Sequence, residues 1–146
     1  MKNDIKSCLM LLKMSIENEL NKQTAISFKN LNQFPTGSGV YFIYNEQNEL
    51  IYIGAGMSII DRCSQYIRPG DHGGTLRLNM IQKDLYPNEK IKKIKTMKSE
   101  NDQYATIIET TCTARFIPVV GTEDDVAYEE AVYIAAFKPK YNKFKL

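Results

Sequence analysis

Residues 39–54 read GVYFIYNEQNELIYIG and predict a β-hairpin with one tyrosine on each strand. Residues 39–44 and 50–54 are mostly β-branched or aromatic, which favours strands, and the segment between them is polar. If the loop has an even number of residues, Tyr41 lies opposite Tyr52 on one face, whereas an odd number puts the two tyrosines on opposite faces. The even register is favoured because it gathers a largely apolar second face, made of Val40, Phe42, Tyr44, Ile51 and Ile53.

A helix is predicted directly after the hairpin. Ser58 is a suitable N-cap, and the helix runs to about Ile67. Arg62 and Tyr66 are one turn apart within it and therefore lie on the same side. An arginine on a short helix is usually a surface charge, but next to a tyrosine-bearing hairpin its planar fork also suits phosphate oxygens.

A second helix, from about Glu123 to Phe137, carries a carboxylate on its apolar side. Glu130 falls within the apolar stripe, whereas Glu129 faces a more polar side. The stripe is formed by Val126, Ala127, Ala131, Ile134 and Phe137. A carboxylate in such a position is costly unless it is paired or binds a metal. A salt bridge to an arginine and a Mg²⁺ site completed by water and phosphate are the two alternatives.

The N-terminal part of the chain is predicted to be a helix and a linker. Residues 3–20 have apolar positions three and four apart, so they form an amphipathic helix that packs on the domain or on a partner. Residues 21–38 are polar and are predicted to form a loop. A boundary near Thr36 divides the chain into an N-terminal helix and linker, 1–35, and a main domain, 36–146.

Three further segments complete the prediction. A helix from Thr75 to about Tyr86 is expected to turn Leu78, Ile81 and Leu85 inward. At least one strand is expected within residues 105–120, which are rich in threonine, isoleucine and valine. The lysine-rich run 90–98 is interpreted as a solvated surface in preference to a phosphate-binding patch.

Composition narrows the chemistry. The 146 residues suit one domain, and a net charge of +2 means that any strongly basic surface must be local. Cys8, Cys63 and Cys112 lack a metal-ligand spacing, and free thiols favour a cytoplasmic location. The single histidine, His72, argues against a histidine-based metal site or catalytic pair. We expect no membrane association, because no apolar run is long enough to span a bilayer.

Together these motifs resemble the GIY-YIG nuclease domain. The hairpin supplies GVY at 39–41 and YIG at 52–54, and Arg62 and Tyr66 follow at the family's spacing. The segment EEAVYIAAFKPKYN at 129–142 is similar to the family's closing motif, a glutamate helix followed by Pro-x-x-Asn. The resemblance extends over residues 39–142, and counting back from the proline and asparagine selects Glu130 as the matching glutamate. The family includes homing endonucleases, some restriction enzymes and the incision subunit of bacterial excision repair.

The resemblance implies an α+β fold, with a three-stranded antiparallel sheet flanked by helices and, here, an N-terminal helical extension. It implies a divalent-metal-dependent endonuclease, a hydrolase acting on phosphodiester bonds in DNA, with one Mg²⁺ or Mn²⁺ ion per site. Glu130 would hold the ion and Arg62 would stabilise charge on the phosphate. Asn142 would brace the site from behind.

The resemblance also gives the tyrosines roles. Tyr41 is the first candidate to accept a proton from the attacking water, and Tyr52 would position water or phosphate. Tyr66 stands where some members have histidine, so it would orient water or share in the proton transfer. Because a free tyrosine titrates near ~10, the choice of base among the three stays open.

Two departures and two alternatives accompany this interpretation. Valine replaces isoleucine in the first motif, and residues 55–57 lack the basic side chains that many members have there. The alternatives are a non-catalytic nucleic-acid-binding module of the same fold and a protein-interaction module. In the second, helix 3–20 would bind a protein partner or a second copy of the chain.

Overall fold

The computed structural model describes residues 1–70 and 74–143 and confirms the predicted α+β fold. A four-stranded antiparallel sheet is flanked by helices on both faces. The elements in chain order are α1 (Lys2–Asn21), β1 (Ile26–Ser27), a 3₁₀ helix (Phe28–Gln33), β2 (Gly39–Tyr44), β3 (Leu50–Gly56), α2 (Ile59–Ile67), α3 (Gly74–Leu85), α4 (Ile91–Ile94), α5 (Lys98–Thr111), β4 (Thr113–Pro118) and α6 (Glu123–Phe137).

The strand order is β1-β4-β2-β3. The predicted three strands correspond to β4, β2 and β3, and the two-residue β1 adds a short edge next to β4. β3 therefore forms the other edge of the sheet. The segment that follows α6 covers this edge, because the Tyr141 backbone N–H donates to the Ile51 carbonyl at 3.0 Å.

The hairpin register differs from the predicted one by two residues. Tyr41 lies opposite Gly54, and Tyr52 lies opposite Ile43. The predicted direct pairing of the two tyrosines is therefore wrong. Because the shift is an even number of residues, both tyrosines still lie on the same face, as expected from the alternation of side chains along a strand.

An odd loop and a β-bulge together produce this register. The five residues 45–49 join Tyr44 to its partner Leu50. The Asn45 side chain accepts two backbone N–H bonds within this loop and holds its shape. The odd count would have separated the tyrosines, but Ile51 is an extra, unpaired residue that restores the alternation. Ile51 consequently packs with the tyrosines, and its predicted place on the other face is wrong.

The two faces of the sheet are covered by different helices. We call the first the tyrosine face; it packs against α2, α3 and α5 and carries Tyr41, Ile43 and Tyr52. We call the second the apolar face; it packs against α6 and the C-terminal part of α1 and carries Val40, Phe42 and Ile53. Any site that uses both α2 and α6 must therefore reach around the edge strand β3.

The segment predicted as a loop, 21–38, is more ordered than expected. It contains β1 and the 3₁₀ helix, and Phe28 and Phe34 are both buried in edge-to-face contact, with ring centroids 5.1 Å apart. Their apolar burial outweighs the polar composition around them, so the loop prediction is wrong here. The boundary near Thr36 stays a prediction.

Helix predictions outside the hairpin region hold in part. α1 is a helix, as predicted; Leu20 is buried, whereas Ile5 is 54% exposed. In α3, Leu85 is 46% exposed and its predicted inward position is wrong. Residues 105–111 continue α5 despite their β-branched composition, because their tertiary packing overrides strand propensity. The predicted strand in that region is β4.

Two remaining predictions have different outcomes. Within residues 1–70 and 74–143, no helix has the length and hydropathy needed to cross a membrane. The sole histidine, His72, and the connector around it lie outside the described residues.

Candidate functional site

Three tyrosines from three elements meet beneath the site. Tyr41 of β2, Tyr52 of β3 and Tyr66 of α2 are buried, with 1%, 7% and 2% of their surface exposed. The hydroxyls of Tyr41 and Tyr66 share a hydrogen bond of 2.6 Å. Tyr66 also makes edge contacts with both other rings, at centroid distances of 6.2 and 6.1 Å. The structure thus brings together the three tyrosines that the sequence singled out.

Gly54 makes room for this cluster. It lies opposite Tyr41, and a Cβ atom at this position would clash with the Cζ, Cε2 and hydroxyl oxygen atoms of Tyr41. A glycine within a strand commonly marks such a close approach. Only a residue without a side chain therefore allows the Tyr41 ring to lie across β3. In the sequence, this glycine is recognisable only as part of the YIG motif.

Arg62 and Glu130 line one open cleft of about 410 Å³. Arg62 comes from α2, which begins at Ser58 as predicted, with the Ser58 hydroxyl accepting from the Asp61 backbone N–H. Glu130 comes from α6, on the other side of the edge strand. The floor between them is formed by Ala55, Gly56 and Met57. The cleft therefore joins the two helical layers around β3.

Glu130 is half-buried on α6, whose predicted bounds are confirmed. Val126 and Tyr133, four residues before and three after it, are the buried residues of the helix. Ala127 and Ala131 are exposed, so their predicted place in the buried stripe is wrong. The helix is rotated slightly from the predicted orientation, because the large Tyr133 ring packs against Phe42 in the core.

The salt bridge that was the structural alternative for Glu130 does not form. Within residues 1–70 and 74–143, the two ion pairs are Met1 with Asp4 and Lys22 with Glu19. Burial raises the pKa of Glu130, and the nearby positive charge of Arg62 only partly opposes the rise. Glu130 is thus a half-buried carboxylate without a direct counter-ion, which is costly unless a cation binds.

Burial also governs the tyrosines. It raises the pKa of Tyr41 and Tyr66 well above the ordinary value and that of Tyr52 to about 12. The guanidinium of Arg62 acts in the opposite direction on Tyr41 and Tyr52, and the carboxylate of Glu130 adds to the rise for Tyr52. All three tyrosines are therefore protonated at neutral pH, and ionisation of Tyr41 and Tyr52 is favoured by hydrogen bonding to Tyr66 and by the charge of Arg62.

Asn142 does not line the cleft but holds β3 from its free edge. Its side-chain amide accepts from the Ile53 N–H and donates to the Ile53 carbonyl, both at 2.8 Å. The Asn142 side chain thus takes the place of a neighbouring strand for the backbone of Ile53, which lies between Tyr52 and Gly54 on the edge strand. This position agrees with a bracing role.

The donor set around the cleft fits one hard cation. No group of three or more histidine, cysteine, aspartate or glutamate side chains comes together within residues 1–70 and 74–143. Mg²⁺ commonly uses one or two carboxylates and completes its octahedron with water and phosphate. The half-buried carboxylate of Glu130, facing an open cleft, satisfies that requirement.

Arg77 is a buried residue that the sequence analysis missed. It is fully buried in α3, and its guanidinium donates to the backbone carbonyls of Tyr66, Arg68 and Gly70 and to the Asn101 side chain. It therefore fixes the C-terminal end of α2, which carries Tyr66. Because arginine is polar and the surrounding pattern is ordinary, no local signal in the sequence identifies it.

Comparisons with known proteins agree with the motifs. UvrABC system protein C of Protochlamydia amoebophila (strain UWE25) is 28% identical over 102 residues, covering 68% of this chain and 16% of that protein. The N-terminal GIY-YIG endonuclease domain of UvrC from Thermotoga maritima, a point mutant bound to its catalytic divalent cation, has a TM-score of 0.45 and 22% identity, covering 80% of this chain and 93% of that one. The resemblance to the GIY-YIG nuclease domain is confirmed.

Two facts limit what passes from these proteins to this GIY-YIG-like chain. No family model matches it. The chain also spans 16% of the length of the curated relative, so that protein's activity, substrates and partners are not transferred with the resemblance.

Proposed function

We propose that this chain is an endonuclease that hydrolyses phosphodiester bonds in DNA and depends on a divalent metal. The observation that carries the proposal is the cleft around β3. There a half-buried carboxylate without a salt-bridge partner, Glu130, faces the guanidinium of Arg62 across a cavity of about 410 Å³. A phosphate with a bound cation complements both charges.

Each proposed role follows from position. Glu130 holds the Mg²⁺ or Mn²⁺ ion, which supplies positive charge to a phosphate oxygen when bound. Arg62 binds a second phosphate oxygen, for which its planar fork is well suited. The buried tyrosine cluster lies next to the cleft, and the positive charge of Arg62 favours ionisation of Tyr41 and Tyr52. Either tyrosine can then serve as proton acceptor, with Tyr66 holding the Tyr41 hydroxyl in place.

The decisive experiment compares two adjacent glutamates. Glu130→Gln removes the charge in the cleft, whereas Glu129→Gln removes an equal charge whose side chain accepts from the Tyr133 hydroxyl outside the cleft. Nicking of supercoiled plasmid with Mg²⁺ or Mn²⁺ is expected to fall on the order of a thousandfold in the first variant, as loss of several kcal/mol of charge stabilisation implies. The second variant should stay within about threefold of the original rate.

The same assay separates the alternatives. A chelator should abolish nicking, and a panel of single-stranded, duplex, branched and RNA substrates identifies the preferred target. Equal activity of Glu130→Gln and the unaltered chain would contradict the proposed site. Tight, salt-sensitive DNA binding without cleavage under any metal would instead support a non-catalytic binding module.

A partner at α1 is a second proposal. Ile5, Met10, Leu11 and Met14 are each more than half exposed along this helix. Such residues favour contact with a protein partner or a second copy, and sedimentation of the chain with and without residues 2–12 tests for self-association.

A cytoplasmic location is proposed because Cys8, Cys63 and Cys112 are all free thiols.

A further inference from the structure

A second concavity lies at the C-terminal end of α6 and is lined by cations from three parts of the chain. We call it the basic pocket. It measures about 400 Å³ and contains Lys13 of α1, Arg115 of β4, and Lys138 and Lys140 after α6. Glu17 of α1 is the acidic residue among its lining side chains. These residues are far apart in sequence, so their convergence is a product of the fold.

Two of these cations are half-buried and are held by aromatic rings. The Lys13 ammonium lies 5.7 Å from the centroid of the Phe137 ring, and the Arg115 guanidinium lies 4.8 Å from that of Tyr44. The Nε atom of Arg115 also donates to the Gln23 carbonyl at 3.0 Å. These contacts position the cations without neutralising them.

Neither cation has a carboxylate partner. Among the described residues, the ion pairs within 4.0 Å are Met1 with Asp4 and Lys22 with Glu19, so Glu17 does not pair with Lys13 or Arg115. Half-buried charges without counter-ions are unfavourable, and two of them in one concavity indicate an anionic ligand. Arginine and lysine together are the usual partners of phosphate.

The cleft at Glu130 has the opposite charge balance. Asp61, Glu123 and Glu130 line it against the single cation Arg62. A cleft with this balance does not by itself attract a polyanion over a distance. A basic surface nearby must therefore attract and bind the polyanion.

The two concavities are close along α6. Glu130 lines the cleft and Phe137 lines the basic pocket, and seven residues of helix correspond to about 10 Å. Phosphates of one DNA strand follow each other every ~3.4 Å along a duplex, so this span corresponds to about three nucleotides. A strand that runs along α6 can therefore contact both places at once.

We propose that the basic pocket binds a backbone phosphate of the same nucleic acid that is cut at Glu130, a few nucleotides from the cut. This inference rests on the proposed endonuclease function for the identity of the ligand. The contact is independent of sequence, because lysine and arginine here meet phosphate and not base edges. It supplies the positive charge that the cleft and residues 55–57 lack.

The test measures binding without cleavage. The whole chain, with a chelator present, is titrated against a fluorescent duplex oligonucleotide at several salt concentrations. Lys13→Gln and Arg115→Gln should each lower the slope of log affinity against log salt by about 1, and the double variant by about 2. At low salt each single change should weaken binding several-fold.

Matched variants control for charge and folding. Lys6→Gln removes the same charge from the exposed N-terminal half of α1 and should leave the slope unchanged. Arg115→Lys keeps the positive charge and should restore the slope. It serves as the control in case Arg115→Gln disturbs the packing on Tyr44. An unchanged slope in Lys13→Gln, with an unaltered thermal melt, would overturn the proposal.

Further outcomes distinguish this proposal from the proposed function. Inorganic phosphate that shifts the NMR signals of Lys13 and Arg115, while duplex DNA does not, would assign the pocket to a free anion and overturn it. Lowered slopes in a chain that never cuts DNA would support the pocket and contradict the endonuclease. If only Glu130→Gln loses cleavage and the pocket variants keep the slope of the unaltered chain, the endonuclease is supported and the pocket proposal is contradicted.

Discussion

The tyrosine face and the apolar face of the same hairpin are built for different tasks. On the tyrosine face, Tyr41 and Tyr52 place hydroxyl groups in the interior, where Tyr66 supplies a hydrogen bond. On the apolar face, Phe42 packs against the rings of Tyr133 and Phe137 on α6 and itself carries no polar group. One face thus carries the tyrosines of the proposed site, and the other packs against the helix that carries Glu130.

This difference explains why the site lies at the edge strand. Glu130 belongs to the layer under the apolar face and Arg62 to the layer over the tyrosine face. The two can share a cleft only where the sheet ends, at β3. Packing on the apolar face therefore sets the position of Glu130, the proposed metal ligand.

The largest expected loss of stability comes from a substitution on the apolar face. Phe42→Ala removes a ring that lies 5.7 Å from Tyr133 and 5.8 Å from Phe137, and should lower the free energy of unfolding by about 3–5 kcal/mol. Urea denaturation measures this loss. Tyr41→Phe, on the other face, should cost about 1–3 kcal/mol because it leaves the Tyr66 hydroxyl without its partner. Equal costs for both changes would contradict the division of tasks.

A smaller effect tests the space beneath the tyrosine cluster. Gly54→Ala places a Cβ where the Tyr41 ring lies, so the ring or β3 must move, at about 1–3 kcal/mol of stability. Gly37→Ala is the matched control, since a Cβ there meets nothing within 4 Å. Thermal unfolding of both variants checks the prediction. A Gly54→Ala protein as stable as Gly37→Ala would show that the Tyr41 ring is free to relocate.

The smallest effect concerns pH and identifies the proton acceptor. Because burial raises the pKa of Tyr41, Tyr52 and Tyr66, with Tyr52 at about 12, the ionised fraction of a tyrosine grows about tenfold per pH unit through neutrality. Under the proposed function the DNA cleavage rate should rise with pH without a plateau below about pH 10. A plateau near pH 7 would exclude a tyrosine as the base.

The acid side of the same profile reports on Glu130. Its raised pKa means that the carboxylate loses its charge at a higher pH than an ordinary glutamate does. Metal-dependent activity should therefore decline on acidification earlier than for an exposed carboxylate. Calorimetric titration of Mn²⁺ across this range measures the loss of affinity directly.

Local sequence signals predicted the parts of the site but not their assembly. α2 and α6 have the predicted bounds because their caps, Ser58 and Thr122, act within one turn of chain. The hairpin loop was harder, because its odd length and the bulge at Ile51 cancel, and a bulge depends on long-range pairing. Arg77 was missed for the same reason, since its carbonyl partners lie 7–11 residues away, at the end of α2 and in the loop after it.

The sequence by itself determined the two tyrosine-bearing strands and the helices that carry Arg62 and Glu130. These follow from side-chain alternation, capping and apolar spacing, which act over a few residues. The tertiary structure alone decided that β3 is an edge strand, that Gly54 lies beneath the Tyr41 ring, and that Lys13 and Arg115 converge at the far end of α6. Such features arise from packing between distant segments, where burial of apolar surface outweighs local preference.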